Sequence, residues 1–67
     1  MIKEGMLVKY AAKWCRPEEQ HLRHIVLENR LNPVTGKATR WLIQTVNTNL
    51  SLPPQEVVEE EMIEPAE

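Results

Sequence analysis

Apolar and polar residues alternate over short stretches of this chain and show no long helical period, so it reads as a succession of short strands. In residues 2–12, Gly5 precedes Met6-Leu7-Val8-Lys9-Tyr10, with Met6, Val8 and Tyr10 on one face and Leu7 and Lys9 on the other. This predicts a first strand. Residues 11–20 break the period: Trp14-Cys15-Arg16-Pro17 followed by Glu18-Glu19-Gln20 predicts a long loop with one helical turn after Pro17.

The strongest pattern lies at residues 24–46, two apolar-rich arms joined by Asn32-Pro33-Val34-Thr35-Gly36-Lys37. Pro33 presets φ for the first turn position, the Asn32 side chain can accept a backbone hydrogen bond, and Gly36 can take the left-handed conformation that ends such a loop. A four-residue loop at 33–36 pairs Asn32 with Lys37, Glu28 with Trp41, Leu27 with Leu42 and Val26 with Ile43. In that register Ile25, Leu27 and Leu31 share a face with Leu42 and Val46, the expected core side, interrupted by Gln44. Val26, Ile43 and Trp41 fall on the second face with Arg30 and Thr39, a mixed surface either partly covered or used for binding.

Beyond the hairpin, Asn47-Thr48-Asn49 predicts a turn and Leu50-Ser51-Leu52 a short strand ended by Pro53-Pro54. Val57, Val58, Met62 and Ile63 then recur at helical offsets. Pro54 suits a first turn and Glu56 the positive end of a helix dipole, so a short C-terminal helix is expected; a closing strand with Val58 and Met62 inward is the alternative. Residues 1–64 are expected to form one small β domain, with 65–67 fraying.

At 67 residues the chain is near the size where a single apolar core barely suffices, and help from a partner subunit is in keeping with that size. There is no Phe, and Tyr10, Trp14 and Trp41 are its only aromatic residues, so the core must be mostly aliphatic. The single cysteine, Cys15, points to a reducing, cytoplasmic compartment. Met6-Leu7-Val8 is too short for a secretory h-region, and no stretch is long enough to span a membrane, so no membrane partner is expected. Asn49-Leu50-Ser51 then matches a glycosylation acceptor only by chance. All eight Lys and Arg lie before residue 41, against four Glu, whereas the other six Glu fall in the last twelve residues; the net charge is −2. Such polarity suits an acidic partner or contacts between subunits, and equally a solvated acidic terminus.

No motif specifies a reaction. Cys15, His21 and His24 form Cys-x5-His-x2-His, which needs Glu18 or Glu19 to complete a tetrahedral zinc site; solvent-facing histidines are the simpler reading, and no metal is expected. The same Cys15 with either histidine lacks the orienting third group and shaped pocket that nucleophilic catalysis needs. Gly36-Lys37 has the ending of a phosphate loop, but Leu31 stands where the first Gly belongs and Ala38 where a Ser or Thr belongs. Arg23, Arg30, Lys37 and Arg40 with Trp41 offer phosphate contacts and a stacking base for nucleic acid, although the expected register points Arg30 and Arg40 to opposite faces. Tyr10, Trp14 and Trp41 are types favoured as interface anchors, with burial of both Trp residues in the core as the alternative.

The order of elements resembles that of small, mostly uncharacterised bacterial, phage and mobile-element proteins with a Src-homology-3-like barrel. The resemblance rests on Ile2-Lys3-Glu4-Gly5-Met6-Leu7-Val8 as an opening strand, the long Trp-bearing loop, the central hairpin, and the Pro-marked crossing Leu52-Pro53-Pro54 into Val57-Val58. It implies a barrel of about five short strands. The aromatic ligand strip of true Src-homology-3 domains has no counterpart, so recognition of Pro-rich peptides is not implied, and fold analogy assigns no function.

The sequence therefore predicts a mainly β domain, a Src-homology-3-like (SH3-like) barrel or twisted antiparallel sheet around the hairpin, that is non-enzymatic and takes no cofactor. Its expected role is an interaction module binding protein, including itself, through Tyr10, Trp14, Arg23, Arg30, Arg40 and Trp41. Nucleic-acid binding by the basic hairpin is the alternative.

Overall fold

The computed structural model describes residues 2–66 and is mainly β. Its strands are β1 (Leu7–Tyr10), β2 (His24–Arg30), β3 (Arg40–Thr45), β4 (Gln55–Glu59) and β5 (Ile63–Pro65), with 3-10 turns at Ala12–Trp14, Pro17–Glu19 and Glu60–Met62. They form one antiparallel sheet in the order β4-β3-β2-β1-β5. Every neighbour pair except β1 with β5 is consecutive in sequence. The two edge strands, β4 and β5, are themselves joined by the turn at Glu60–Met62.

The hairpin loop forms as its residues dictate. Asn32 donates its backbone N–H to the Lys37 carbonyl (2.7 Å), its side-chain oxygen accepts from the Val34 N–H (2.9 Å), and Gly36 takes φ 74°. Gly5, with φ 83°, occupies the left-handed position of the turn that the Met6 N–H closes on the Lys3 carbonyl, so β1 begins only at Leu7.

Along the arms the register departs from the simple ladder. Val26 pairs with Ile43 as expected, but Glu28 pairs with Leu42, Asn29 with Trp41 and Arg30 with Arg40. A β-bulge between Val26 and Glu28 leaves Leu27 as the extra residue. A compensating irregularity precedes β3, where the Asn29 side-chain amide donates to the carbonyls of Ala38 (3.2 Å) and Arg40 (2.8 Å).

The core lies on the other face from the one the sequence favours. Val26, Trp41 and Ile43 are buried together with Ile2, Val8, Val58 and Ile63, while Leu27 (38% exposed), Leu31 and Val46 are exposed. The physical reason is the aromatic ring. Trp41, Ile43 and Thr45 share one face of β3, and burying the largest side chain of the hairpin removes more apolar area from water than burying Leu31 or Val46 would. Met6, Tyr10 and Met62 pack against this cluster.

The C-terminal segment is extended apart from the 3-10 turn at Glu60–Met62, which is all that forms of the expected helix. Edge pairing to β3 decides this, because β4 gains a backbone ladder and buries Val58 opposite Trp41. Leu50-Ser51-Leu52 forms no strand; Leu50 and Leu52 lie exposed in the connection to β4. Pro65 pairs with Val8 and the Ala66 N–H donates to the Leu7 carbonyl (3.1 Å), so these two residues are held rather than frayed. Glu67, the last residue of that expectation, lies outside the described residues.

Candidate functional site

At the end of the sheet where β1 and β3 finish and β2 and β4 begin, the chain encloses a cleft of about 370 Å³. Tyr10, Trp14, Leu22, Pro54 and Met62 supply its apolar and aromatic lining. Cys15, Glu19, His24, Thr45 and Glu56 supply its polar groups. Two local features set this up. The 3-10 turns after β1 carry Trp14 and Glu19 to the rim, and Trp14 stays 44% exposed with the Lys13 ammonium over its ring at 5.5 Å. The period of β4 puts Glu56 on the same side as the buried Val58, so a carboxylate projects onto the core face of the sheet.

The polar groups are paired in two sets. The Tyr10 hydroxyl donates to Oε1 of Glu56 at 3.1 Å. Burial, and then the Glu56 charge, push the Tyr10 phenol well above its ordinary value. The buried His24 ring meets Tyr10 edge-on with centroids 5.0 Å apart, and its Nδ1 lies 3.0 Å from the Thr45 hydroxyl. Its Nε2 is buried and has no hydrogen-bond partner among the described residues. Burial holds the imidazole below its ordinary pKa, opposed in part by the Glu56 carboxylate and reinforced by Arg23, so His24 is neutral at pH 7.

The residues singled out from the sequence separate into four places. Tyr10 and Trp14 meet at the cleft. Trp41, only 8% exposed, takes the core place given above as the alternative to an interface anchor, and its indole N–H donates to the Glu60 carboxylate at 2.9 Å. Arg23 is tied to its own loop through the carbonyls of Gln20 and Leu22, at the opposite end of β2 from Arg30. Arg30 and Arg40 stand directly opposite each other on the outer face, where the uninterrupted register would have separated them. Each is ion-paired, Arg30 with Glu28 and Arg40 with Glu59.

The metal reading loses its geometry. Cys15 and His24 line the cleft, but His21 is exposed, and among the described residues no three His, Cys, Asp or Glu side chains come together as a metal-holding group. Cys15 and His24 share no hydrogen bond, and the histidine Nδ1 is engaged by Thr45. Glu56, Thr45, Pro54 and Met62 were not legible as cleft residues. For Glu56 the available signal was the alternation of Gln55-Glu56-Val57-Val58 read as a strand with Val58 inward, which places the carboxylate inward too.

Among the described residues no helix is long and apolar enough to cross a membrane. Compared with protein-family models, with curated proteins and with solved structures, the chain matches none.

Proposed function

We propose that this chain is a small non-enzymatic binding module of the cytoplasm that takes a segment of a partner protein in the Tyr10–Trp14 cleft. The observation that carries the reading is Trp14, a large aromatic left 44% exposed at the rim of a concave, mixed apolar and polar surface. Exposed aromatics beside a pocket are the commonest anchors of protein contacts. The strands fit a small SH3-like barrel: the order β4-β3-β2-β1-β5, with a 3-10 turn linking the two edge strands, supports closure of the sheet on itself. Self-association through the acidic C-terminal segment has less behind it, because Glu59 and Glu60 already engage Arg40 and Trp41 of the same chain.

One observation favours nucleic-acid binding as a second reading, namely the placement of Arg30 beside Arg40 on one face. Their pairing with Glu28 and Glu59 works against it, since phosphate would have to displace two carboxylates. Selection of peptides from a random library on the immobilised chain separates the two. Peptides whose binding falls at least tenfold with Trp14→Ala support the cleft. Oligonucleotide binding at low salt that disappears with Arg23, Arg30 and Arg40 changed to Ala, with no peptide enriched, replaces it by the nucleic-acid reading.

A further inference from the structure

The cleft is acidic as well as aromatic, and this narrows what it can hold. Glu19 and Glu56 both line it, and no Lys or Arg is among its lining residues. Glu56 commits one oxygen, Oε1, to the Tyr10 hydroxyl, and among the described residues none donates a hydrogen bond to Oε2. Deeper in, His24 is 3% exposed, and its Nε2 lacks a partner. A buried polar atom without a partner is destabilising, a cost that a bound group able to hydrogen-bond there would remove. Aromatic rings supply the remaining element, because the faces of Trp and Tyr attract cations, and the Trp14 ring already carries the Lys13 ammonium on one side.

Resting on the protein-binding reading above, we infer that the cleft is a receptor for a cationic side chain, lysine or arginine, projected by the partner polypeptide. Its alkyl stem packs along Leu22 and Met62, and its charged head lies between the Glu56 and Glu19 carboxylates against the Trp14 and Tyr10 rings. Charge complementarity decides the occupant. An anionic group would face two carboxylates without a compensating cation among the lining residues. A purely apolar side chain would strip water from Glu56 and Glu19 and return no hydrogen bond to either. A side chain with a long stem and a charged tip satisfies both requirements, since the stem is apolar and the head brings donors to the two carboxylates. About 370 Å³ is ample room for one such side chain and too little for a folded element.

The test is titration of the full chain, isotope-labelled, with four capped tripeptides of the form Gly-X-Gly in which X is lysine, arginine, norleucine or glutamate. Amide, indole and imidazole resonances are followed by NMR. The lysine or arginine peptide is expected to shift the Trp14 indole and His24 imidazole signals saturably and to bind at least tenfold more tightly than the norleucine peptide. Glu56→Gln and, separately, Glu19→Gln are expected to weaken that binding by at least threefold each. Glu19 lies on an exposed turn, so its variant keeps the test valid if Glu56→Gln disturbs the fold. Norleucine binding as tightly as lysine at the same resonances would overturn the cationic assignment and leave the protein-binding cleft standing. Glutamate binding most tightly would overturn it as well. No shift at the cleft with any peptide at tens of millimolar would overturn both the inference and the reading on which it rests.

Discussion

The Tyr10 hydroxyl reaches the Glu56 carboxylate at 3.1 Å although their strands, β1 and β4, are separated in the sheet by β2 and β3. A flat sheet would hold strands three places apart at roughly 14 Å, from a spacing of about 4.8 Å per strand. The two side chains therefore reach toward each other across the core face, which the twist of an antiparallel sheet brings closer together.

Burial, with Glu56 beside it, sets the behaviour of the only tyrosine in alkali. Burial and the Glu56 charge raise the folded-state pKa above the ordinary value of 10.0, so the associated stabilisation is fully present below pH 10 and is lost as pH rises through the folded value. Absorbance at 295 nm is expected to show no phenolate in the native chain at pH 10.5, whereas the urea-unfolded chain titrates near 10. Glu56→Gln brings the native midpoint down. Tyr10→Phe is expected to cost about 1 kcal/mol in urea denaturation, the ordinary worth of one such bond.

His24 gives the opposite dependence at the acid side. Its folded-state pKa is lowered from 6.5, first by burial, so the contribution is complete above pH 6.5 and is lost as pH falls through the folded value. The imidazole C2 proton of His24 is expected to titrate with a midpoint below that of the urea-unfolded chain. A midpoint at or above the unfolded one would mean that the ring is not buried as described.

The two tryptophans are expected to separate cleanly. Trp41→Ala should cost about 3–5 kcal/mol, enough to unfold much of so small a domain, because it empties the largest side chain from the core and removes the indole hydrogen bond to Glu60. Trp14→Ala should change stability by no more than about 0.5 kcal/mol. Iodide quenching checks the same division without destabilising the chain: Trp41→Phe leaves a readily quenched emission from Trp14, and Trp14→Phe leaves a protected one from Trp41.

Which face of the hairpin is buried can be read from a pair of neighbours. Val26→Ala is expected to cost about 2 kcal/mol, from roughly 0.8 kcal/mol per buried carbon plus the cavity left behind. Leu27→Ala, at the bulge and 38% exposed, should cost less than about 1 kcal/mol, although it removes the larger side chain. Urea midpoints in the reverse order would restore the face suggested by the simple ladder.

At the hairpin tip, Gly36→Ala should destabilise by about 1–2 kcal/mol even though nothing lies within 4 Å of the added carbon, because φ 74° is a left-handed backbone that alanine adopts at a cost. An unchanged midpoint would show that the loop takes another conformation in solution.

Local chemistry alone determined the elements whose causes are local. The Asn32-Pro33 start and Gly36 end of the loop, the Val26 to Ile43 pairing and the strand at Leu7–Tyr10 all follow from turn residues and period-two alternation, which act over a few residues. Tertiary structure decided what depends on competition between distant segments. Whether residues 55–64 coil or extend was settled by the free edge of β3, and the Leu27 bulge changed which residues of β2 face Trp41 and Arg40. The cleft belongs to this second kind. Tyr10, Trp14, His24 and Glu56 come from three strands and a turn, and only the packing of segments distant in sequence around the buried core makes them neighbours.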